Sequence, residues 1–253
     1  MPQRNTSCIS CKSLPQGGSC GGKSFFRSAD YTVALAGNPN TGKSTVFNAI
    51  TGLRQHTGNW AGKTVTRAEG MFSHGDWLFS LIDLPGAYSL FAGGAEEEIA
   101  RDFLLFGQPD VVVVVVDATR LEANLALTLQ ILEISDRVVV CLNLMDEAEQ
   151  RGISIAPAQL STELGVPVVA TSARRGKGIA HLMAMVGDVA AGKLTCRPYR
   201  YIDANPRLKS ALSGLIAQLQ QQLPDRRDHR AIGLSLLHSD AHAIEGDKLR
   251  VAV

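Results

Sequence analysis

The run Gly37-Asn38-Pro39-Asn40-Thr41-Gly42-Lys43-Ser44 has the spacing G-x-x-x-x-G-K-S. This is the P-loop pattern, in which backbone N–H groups curl around phosphates and the lysine neutralises the β/γ oxygens. An apolar, β-branched run, Tyr31 to Ala36, precedes it, and Ser44 to Ile50 follows with helical spacing that stops at Gly52. Strand, loop and helix in that order put a phosphate at a helix N-terminus, where the dipole and the free N–H groups favour an anion. The residues expected on a nucleotide's phosphates are Gly37, Asn38, Pro39, Asn40, Thr41, Gly42, Lys43, Ser44 and Thr45.

Working outward, Val65 to Phe72 and Trp77 to Ile82 read as two strands joined by the turn Ser73-His74-Gly75-Asp76. The second strand runs into Asp83-Leu84-Pro85-Gly86. An acidic residue ending a buried strand beside a P-loop is where a nucleotide's Mg²⁺ is held, directly or through water. Gly86, lacking a side chain, lets its backbone N–H approach the γ-phosphate. The run Val111 to Val116 ends in Asp117, and its continuous apolar character predicts a central parallel strand buried on both faces. Val138 to Leu142 is the next strand and ends in Asn143-Leu144-Met145-Asp146.

This N-x-x-D selects the base. A carboxylate accepts two parallel hydrogen bonds from the N1–H and 2-amino group of guanine, whereas adenine would leave it desolvated and unpaired. Asp146 is therefore the expected guanine reader, with Asn143 contacting the base edge and tethering the loops. The last strand, Val166 to Ala170, leads to Thr171-Ser172-Ala173, whose N–H groups can meet guanine O6.

The remaining segments are less specific. Leu53 to Arg67 has no stable period and reads as a long functional loop containing Gly58-Asn59-Trp60-Ala61-Gly62-Lys63-Thr64. A helix from about Glu96 carries three acidic residues in its first turn, as the dipole prefers. Leu121, Leu125, Leu129 and Leu132 mark the packing stripe of another helix, and Gly178 to Val189 closes the domain. From Ala191 a linker with Pro198 and Pro206 leads to an amphipathic helix over Leu208 to Leu223 and a shorter one over Ala231 to Leu237. This appendage is small, so it is expected to pack on the α/β domain. Arg226, Arg227 and Arg230, interrupted by Asp225 and Asp228, read as a solvated basic turn or as a site for acidic headgroups.

Composition narrows the classes. Formal charge is +1 over 253 residues, with no basic field that would suggest nucleic acid as a partner. The longest aliphatic run, Val111 to Val116, is far below the ~20 residues a bilayer span needs. The first 28 residues lack an apolar signal segment, so a cytosolic location is expected. Cys8, Cys11 and Cys20 in that leader suit either a thiolate metal site short of a fourth ligand or a flexible reduced segment. Cys141 sits in an apolar run and is expected to pack as a small hydrophobe, while Cys196 lies in the linker.

The motifs over residues 31 to 190 resemble a small Ras-type G protein. The wording of the P-loop, of Gly58-Asn59-Trp60-Ala61-Gly62 with Thr64-Val65, and of Asp83-Leu84-Pro85-Gly86 with Tyr88-Ser89-Leu90 resembles more closely the cytosolic N-terminal part of FeoB, the bacterial ferrous iron transporter. The resemblance implies an α/β, Ras-like P-loop GTPase fold, a mostly parallel sheet flanked by helices, with a small C-terminal helical domain. In domain terms it implies a GTP-binding G domain over 29–190 and a helical GDI-like spacer over 191–253, whereas the flexible Cys-containing leader over 1–28 is not expected of the family and is read from its residues alone.

It also implies a catalytic set of Asn40, Lys43, Trp60, Thr64 and Gly86. Ser44, Thr64 and Asp83 would hold Mg²⁺. Asn40, with carbonyls around Asn59 and Trp60, would hold an activating K⁺ that takes the place of an arginine finger. Beyond GTP and GDP, the implied partners are a membrane region, small Feo accessory proteins and further copies of the chain, at the cytoplasmic face of the inner membrane. Two departures stand out. Leu144 replaces the lysine that packs on the base in most G proteins, which predicts weak affinity and fast release. Ala87 replaces the water-orienting glutamine of Ras-like proteins, which predicts slow intrinsic hydrolysis, with the water placed by backbone near Trp60 and Thr64. The competing class is a soluble potassium-dependent GTPase of tRNA modification or ribosome assembly, which would bring an RNA-binding domain or basic stripe.

Overall fold

The structure, a computed structural model, describes residues 29–52, 55–60, 65–91, 93–224 and 229–237. The leader with Cys8, Cys11 and Cys20 lies outside the described residues, as does Thr64. Among the described residues, seven strands form one sheet: β1 (Tyr31–Gly37), β2 (Gln55–Asn59), β3 (Thr66–His74), β4 (Trp77–Asp83), β5 (Val111–Asp117), β6 (Val138–Asn143) and β7 (Val168–Ala170). Their spatial order is β2-β3-β4-β1-β5-β6-β7, parallel from β4 through β7 and antiparallel at β2 and β3. The helices are α1 (Lys43–Thr51), α2 (Ala95–Phe106), α3 (Leu121–Ile134), α4 (Met145–Gln150), α5 (Pro157–Leu164), α6 (Ile179–Ala190), α7 (Pro206–Gln222) and α8 (His229–Leu237).

The valine strand is buried on both sides, as its unbroken apolar character predicts. Val112, Val114 and Val116 pack in one core with α2 and α3, while Val111, Val113 and Val115 pack in the other with α1 and α6. Alternate residues of one strand thus serve two helical layers, and this fixes β5 at the middle of the sheet. Because β1, β4, β5, β6 and β7 run the same way, their carboxyl ends share one edge. There the P-loop, Asp83, Asn143 and Thr171 emerge.

Several elements differ from the sequence expectation. Part of the expected loop over residues 53–67 is β2, paired antiparallel with β3 from Gln55↔Gly70 to Asn59↔Thr66. Its sequence shows no apolar alternation because it is held as an edge strand by backbone pairing. The β3–β4 hairpin closes at His74↔Trp77, which leaves only Gly75 and Asp76 in the turn. The short helices α4 and α5 carry too few periodic positions to be read. The expected stripe packs on the core, Leu132 fully buried and Leu121, Leu125 and Leu129 partly, but burial extends past it to Asn124, Leu127, Thr128 and Ile131 on one side and to Glu133 on the other.

Glu133, on the opposite side of α3 from Asn124, serves the C-terminal helices. Glu133 is 8 % exposed, and its carboxylate accepts hydrogen bonds from Arg230 Nη2 at 2.7 Å and from the Ile202 N–H at 2.8 Å. Arg230 Nε donates to the Glu133 carbonyl at 2.9 Å. Arg200 adds a contact with Asp136. Arg230 is therefore an anchor of the appendage to α3 and does not belong to a solvated turn; Arg226 and Arg227 lie outside the described residues. Leu212, Leu219, Ala231 and Leu234 bury the α7–α8 contact. Ala231 and Leu234 then meet Leu90, Phe91, Leu105 and Ile134 across a narrow apolar crevice. The packing of the appendage on the sheet domain follows from this anchor.

Glu133→Ala removes the carboxylate from a part-buried guanidinium and from the Ile202 N–H, so it is expected to destabilise the fold by about 2 to 3 kcal/mol in urea denaturation. It should also accelerate amide exchange in α8. A change below ~0.5 kcal/mol, the level of an ordinary surface substitution, would show the anchor to be superficial.

Candidate functional site

The P-loop begins where β1 ends at Gly37 and closes on the first turn of α1. Thr41 is buried, and its hydroxyl donates to the Asn38 carbonyl at 3.0 Å, tightening the loop. Asn40 adopts φ 64 and Gly42 φ 81, left-handed conformations that turn successive N–H groups towards one side. Asparagine tolerates this region better than most residues. At Gly42 the demand is stricter, since a Cβ would lie 2.5 Å from Asn143 Nδ2. Lys43 opens α1, and Ser44 and Thr45 are exposed in its first turn, where helix N–H groups lack intrahelical partners.

Asp83 ends β4, directly across from Leu35 of β1, so its carboxylate reaches the P-loop. Lys43 Nζ donates to Asp83 Oδ1 at 2.7 Å, with side-chain exposures of 12 % and 14 %. Burial pushes the Asp83 carboxyl above its usual pKa of 3.8, and the charge and hydrogen bond of Lys43 partly offset this. Folding therefore tightens proton binding here. The stability contributed by this group is greatest below 3.8 and is lost as pH rises through the raised value. The Asp83-Leu84-Pro85-Gly86 segment folds back on the P-loop: the Leu84 N–H donates to Leu35 at 3.0 Å and the Ala87 N–H to Gly37 at 3.3 Å. A Cβ on Gly86 would sit 3.1 Å from Pro39, so this backbone lies directly against the loop.

On the other side of the P-loop, Asn143 is 1 % exposed and engaged at both ends of its amide. Its Nδ2 donates to the Thr41 carbonyl at 3.1 Å, and its Oδ1 accepts from Thr171 Oγ1 at 3.2 Å and from the Ala173 N–H at 3.0 Å. One side chain thus ties the phosphate loop to the Thr171-Ser172-Ala173 loop. Leu144 takes φ 62, a strained conformation for leucine, and turns the chain into α4. Asp146 follows in the first turn of α4, its N–H donating to Ser172 Oγ at 3.3 Å. Leu144, Asp146, Ser172, Ala173 and Arg175 contribute to the lining of a polar cavity of about 490 Å³. Cys141, buried behind it, contacts Thr171 Oγ1 at 3.2 Å, and burial pushes its thiol up to about 12. It packs as a small hydrophobe, as expected.

The sequence-predicted residues on the P-loop, Asp83, Gly86, Asn143, Asp146, Thr171, Ser172 and Ala173 are thus gathered at one sheet edge. Asn59 and Trp60 reach the same edge because β2 runs parallel to β4. The Trp60 indole packs edge-on against Phe103 at 5.5 Å and under the Arg67 guanidinium at 5.2 Å. Two residues escaped the sequence reading. Arg175 forms an ion pair with Asp146 at 2.9 Å, and Gln130 on α3 accepts from the Leu90 N–H at 2.8 Å and the Ser89 hydroxyl at 3.2 Å. The Arg174-Arg175 pair immediately after the Thr171-Ser172-Ala173 loop was a legible signal; Gln130 offered none.

A mostly parallel sheet with a P-loop after β1, an acidic strand end beside it and an N-x-x-D loop bound to it defines a Ras-like P-loop G domain. The family model described as ferrous iron transport protein B, N-terminal, matches residues 31–186, and this chain belongs to that family. The Fe(2+) transporter FeoB of Salmonella choleraesuis strain SC-B67 is 42% identical over 217 residues, and that of Escherichia coli K12 is 41% identical over 216. Each alignment covers 84% of this chain and 27% of the relative, so the chain spans about a quarter of the length of these proteins. Among solved structures, the G domain of the T. maritima FeoB iron transporter matches with TM-score 0.61 and 42% identity, over 63% of this chain and 98% of that one. A GDP-bound variant of the S. thermophilus FeoB G domain matches with TM-score 0.75 and 34% identity, over 88% of each chain. The family match favours the iron-transport class over the soluble RNA-associated one. Among the described residues, no helix is long and apolar enough to cross a membrane.

Asn143→Ala leaves the Thr41 carbonyl, the Thr171 hydroxyl and the Ala173 N–H without their buried partner. It is expected to cost about 3 kcal/mol, which lowers the thermal midpoint by roughly 6 to 12 °C at this size. An unchanged midpoint would show that the two loops hold their positions without it.

Proposed function

We propose that this chain binds guanine nucleotide, hydrolyses GTP to GDP and phosphate, and serves as the switch module of a ferrous iron transporter at the cytoplasmic face of the bacterial inner membrane. The iron path would belong to a membrane region outside this chain. The observation that carries the reading is the Asn143 bridge. It joins the P-loop to the N-x-x-D and Thr171-Ser172-Ala173 loops, so that phosphate and base can be held by one nucleotide-sized site. The GDP bound to the similar S. thermophilus G domain supports it.

On this reading Lys43 exchanges Asp83 for the β/γ-phosphates, and Asp83 is freed to face a cation. Asp83, Ser44 and Thr64 would hold Mg²⁺. All three offer the hard oxygen donors that ion prefers, and the Asp83 carboxylate already stands one hydrogen bond from the phosphate lysine. When bound, Mg²⁺ neutralises charge on the β- and γ-oxygens. The Gly86 N–H, backed by Pro39, would sense the γ-phosphate. Asp146 reads the N1–H and 2-amino group of guanine, while N–H groups of the Thr171-Ser172-Ala173 loop meet O6.

Ala87 is 2 % exposed and packs in the apolar core, so a longer side chain there would disturb packing before it could orient a water. Backbone near Trp60 and Thr64 positions the water instead. The left-handed, exposed Asn40 would hold K⁺ together with carbonyls around Asn59 and Trp60, and the ion would bring the positive charge that an arginine finger supplies elsewhere. Loss of the γ-phosphate contacts releases Gly86 and the following segment. The movement is felt at Leu90, which Gln130 and the apolar crevice connect to α3 and α8. Residues 191–253 then act as the GDI-like spacer that carries the change towards the membrane.

Phosphate release from GTP and from ATP, each in K⁺ and in Na⁺, tests this directly. GTP should be turned over and ATP not, with roughly tenfold or greater stimulation by K⁺, a modest share of what one transition-state charge contributes. Asn40→Ala should abolish the stimulation while GDP still binds. Equal rates with ATP would overturn the guanine reading, and unchanged potassium dependence in Asn40→Ala would overturn the ion site.

A further inference from the structure

The carboxylate assigned to guanine already has a partner. Arg175 Nε lies 2.9 Å from Asp146 Oδ2, with Arg175 about half exposed and Asp146 at 20 %. Arg175 is held there by its backbone. It ends a 3-10 turn over Ala173–Arg175, its N–H donates to the Ser172 carbonyl at 2.8 Å, and the Gly176 N–H closes the turn on Ala173 at 3.0 Å. The same turn is pinned by the Ala173 N–H on Asn143. The other acidic group of the cavity, Glu147, faces Arg151 at 3.6 Å, which leaves Asp146 as the carboxylate for Arg175.

We propose that Arg175 sets the affinity for guanine by competing with the base for the Asp146 carboxylate. The proposal rests on the reading of Asp146 as the guanine contact. A guanidinium and a guanine edge are both planar donor pairs, and both seek the oxygens of one carboxylate. The ion pair must open before the base can dock. An interaction made only while the base is absent lowers the affinity of every ligand that needs Asp146 by the same factor, leaving their ranking unchanged. Hypoxanthine, which lacks the 2-amino group, is penalised as much as guanine. Because Arg175 is half exposed, the pair resembles surface ion pairs, whose strength corresponds to a factor of about two to five. Together with Leu144 in place of a base-stacking lysine, the competition would keep nucleotide affinity modest.

The test is stopped-flow and equilibrium binding of fluorescent GDP and IDP to the full chain and to Arg175→Ala, Arg175→Lys and Asp146→Asn. Arg175→Ala should bind both nucleotides about two- to fivefold more tightly. The GDP-to-IDP ratio and the dissociation rates should not change, and the gain should appear in association. The difference from wild type should shrink as sodium chloride rises from about 0.01 M to about 1 M, because the screening length falls from ~30 Å to ~3 Å. Arg175→Lys keeps a cation within reach and should stay near wild type. Weaker or unchanged GDP binding by Arg175→Ala, or a changed GDP-to-IDP ratio, would overturn the competition. Asp146→Asn separates the two claims. A switch from guanine towards xanthine nucleotides upholds the base reading whatever Arg175 does, whereas undiminished GDP binding removes that reading and the competition with it.

Discussion

The site depends on the Asn143 side chain, which joins loops more than a hundred residues apart in sequence. Its amide donates to the P-loop at Thr41 and accepts from Thr171 and Ala173, so both of its ends hold two loops in register. Gly42 is the complementary requirement, because any side chain there would collide with Asn143 Nδ2. A buried amide satisfied on both ends specifies one arrangement, and the cost of leaving its partners unpaired prevents the loops from drifting apart. The sheet supplies the platform, since the parallel β1, β5 and β6 all deliver their carboxyl ends to one edge.

Charge at this edge is balanced internally. Lys43 sits on Asp83 and Arg175 on Asp146, and each pair holds at least one group that a nucleotide complex would take for itself. The pairs differ in consequence. The Lys43–Asp83 pair is mostly buried, and burial drives the carboxyl pKa upward, so a cation and a phosphate would relieve an electrostatic cost. The Arg175–Asp146 pair is partly in solvent and stores less. The C-terminal helices are joined to this edge by α3, which holds Leu90 through Gln130 and Arg230 through Glu133, one turn apart.

Much of this was legible in the sequence. The P-loop, the acid ending a strand, the valine run and N-x-x-D could be read because backbone geometry demands particular residue types at fixed spacing, and strand burial demands unbroken apolar character. The convergence of Lys43 with Asp83, and of Asn143 with the P-loop, followed from placing each motif at a parallel strand's carboxyl end. The rest depended on tertiary partners. β2 is a polar edge strand with no pattern of its own, and α4 and α5 are too short to show a period. The leucines of α3 mark a packing face, but the burial of Asn124 and Thr128 beside them, and of Glu133 against Arg230 of α8, had no apolar signal. Arg230 looked like part of a solvated cluster until its acidic partner, 97 residues earlier, was located.

The central claim is that one ligand occupies the P-loop and the Asp146 cavity together. Titrating GDP into the protein and following backbone amides by NMR tests it most directly. The account predicts that Gly42, Lys43, Ser44 and Thr45 shift with Asp146 and Ala173 along a single binding curve with one midpoint. Two curves with separate midpoints, or shifts confined to one of the two groups, would contradict it.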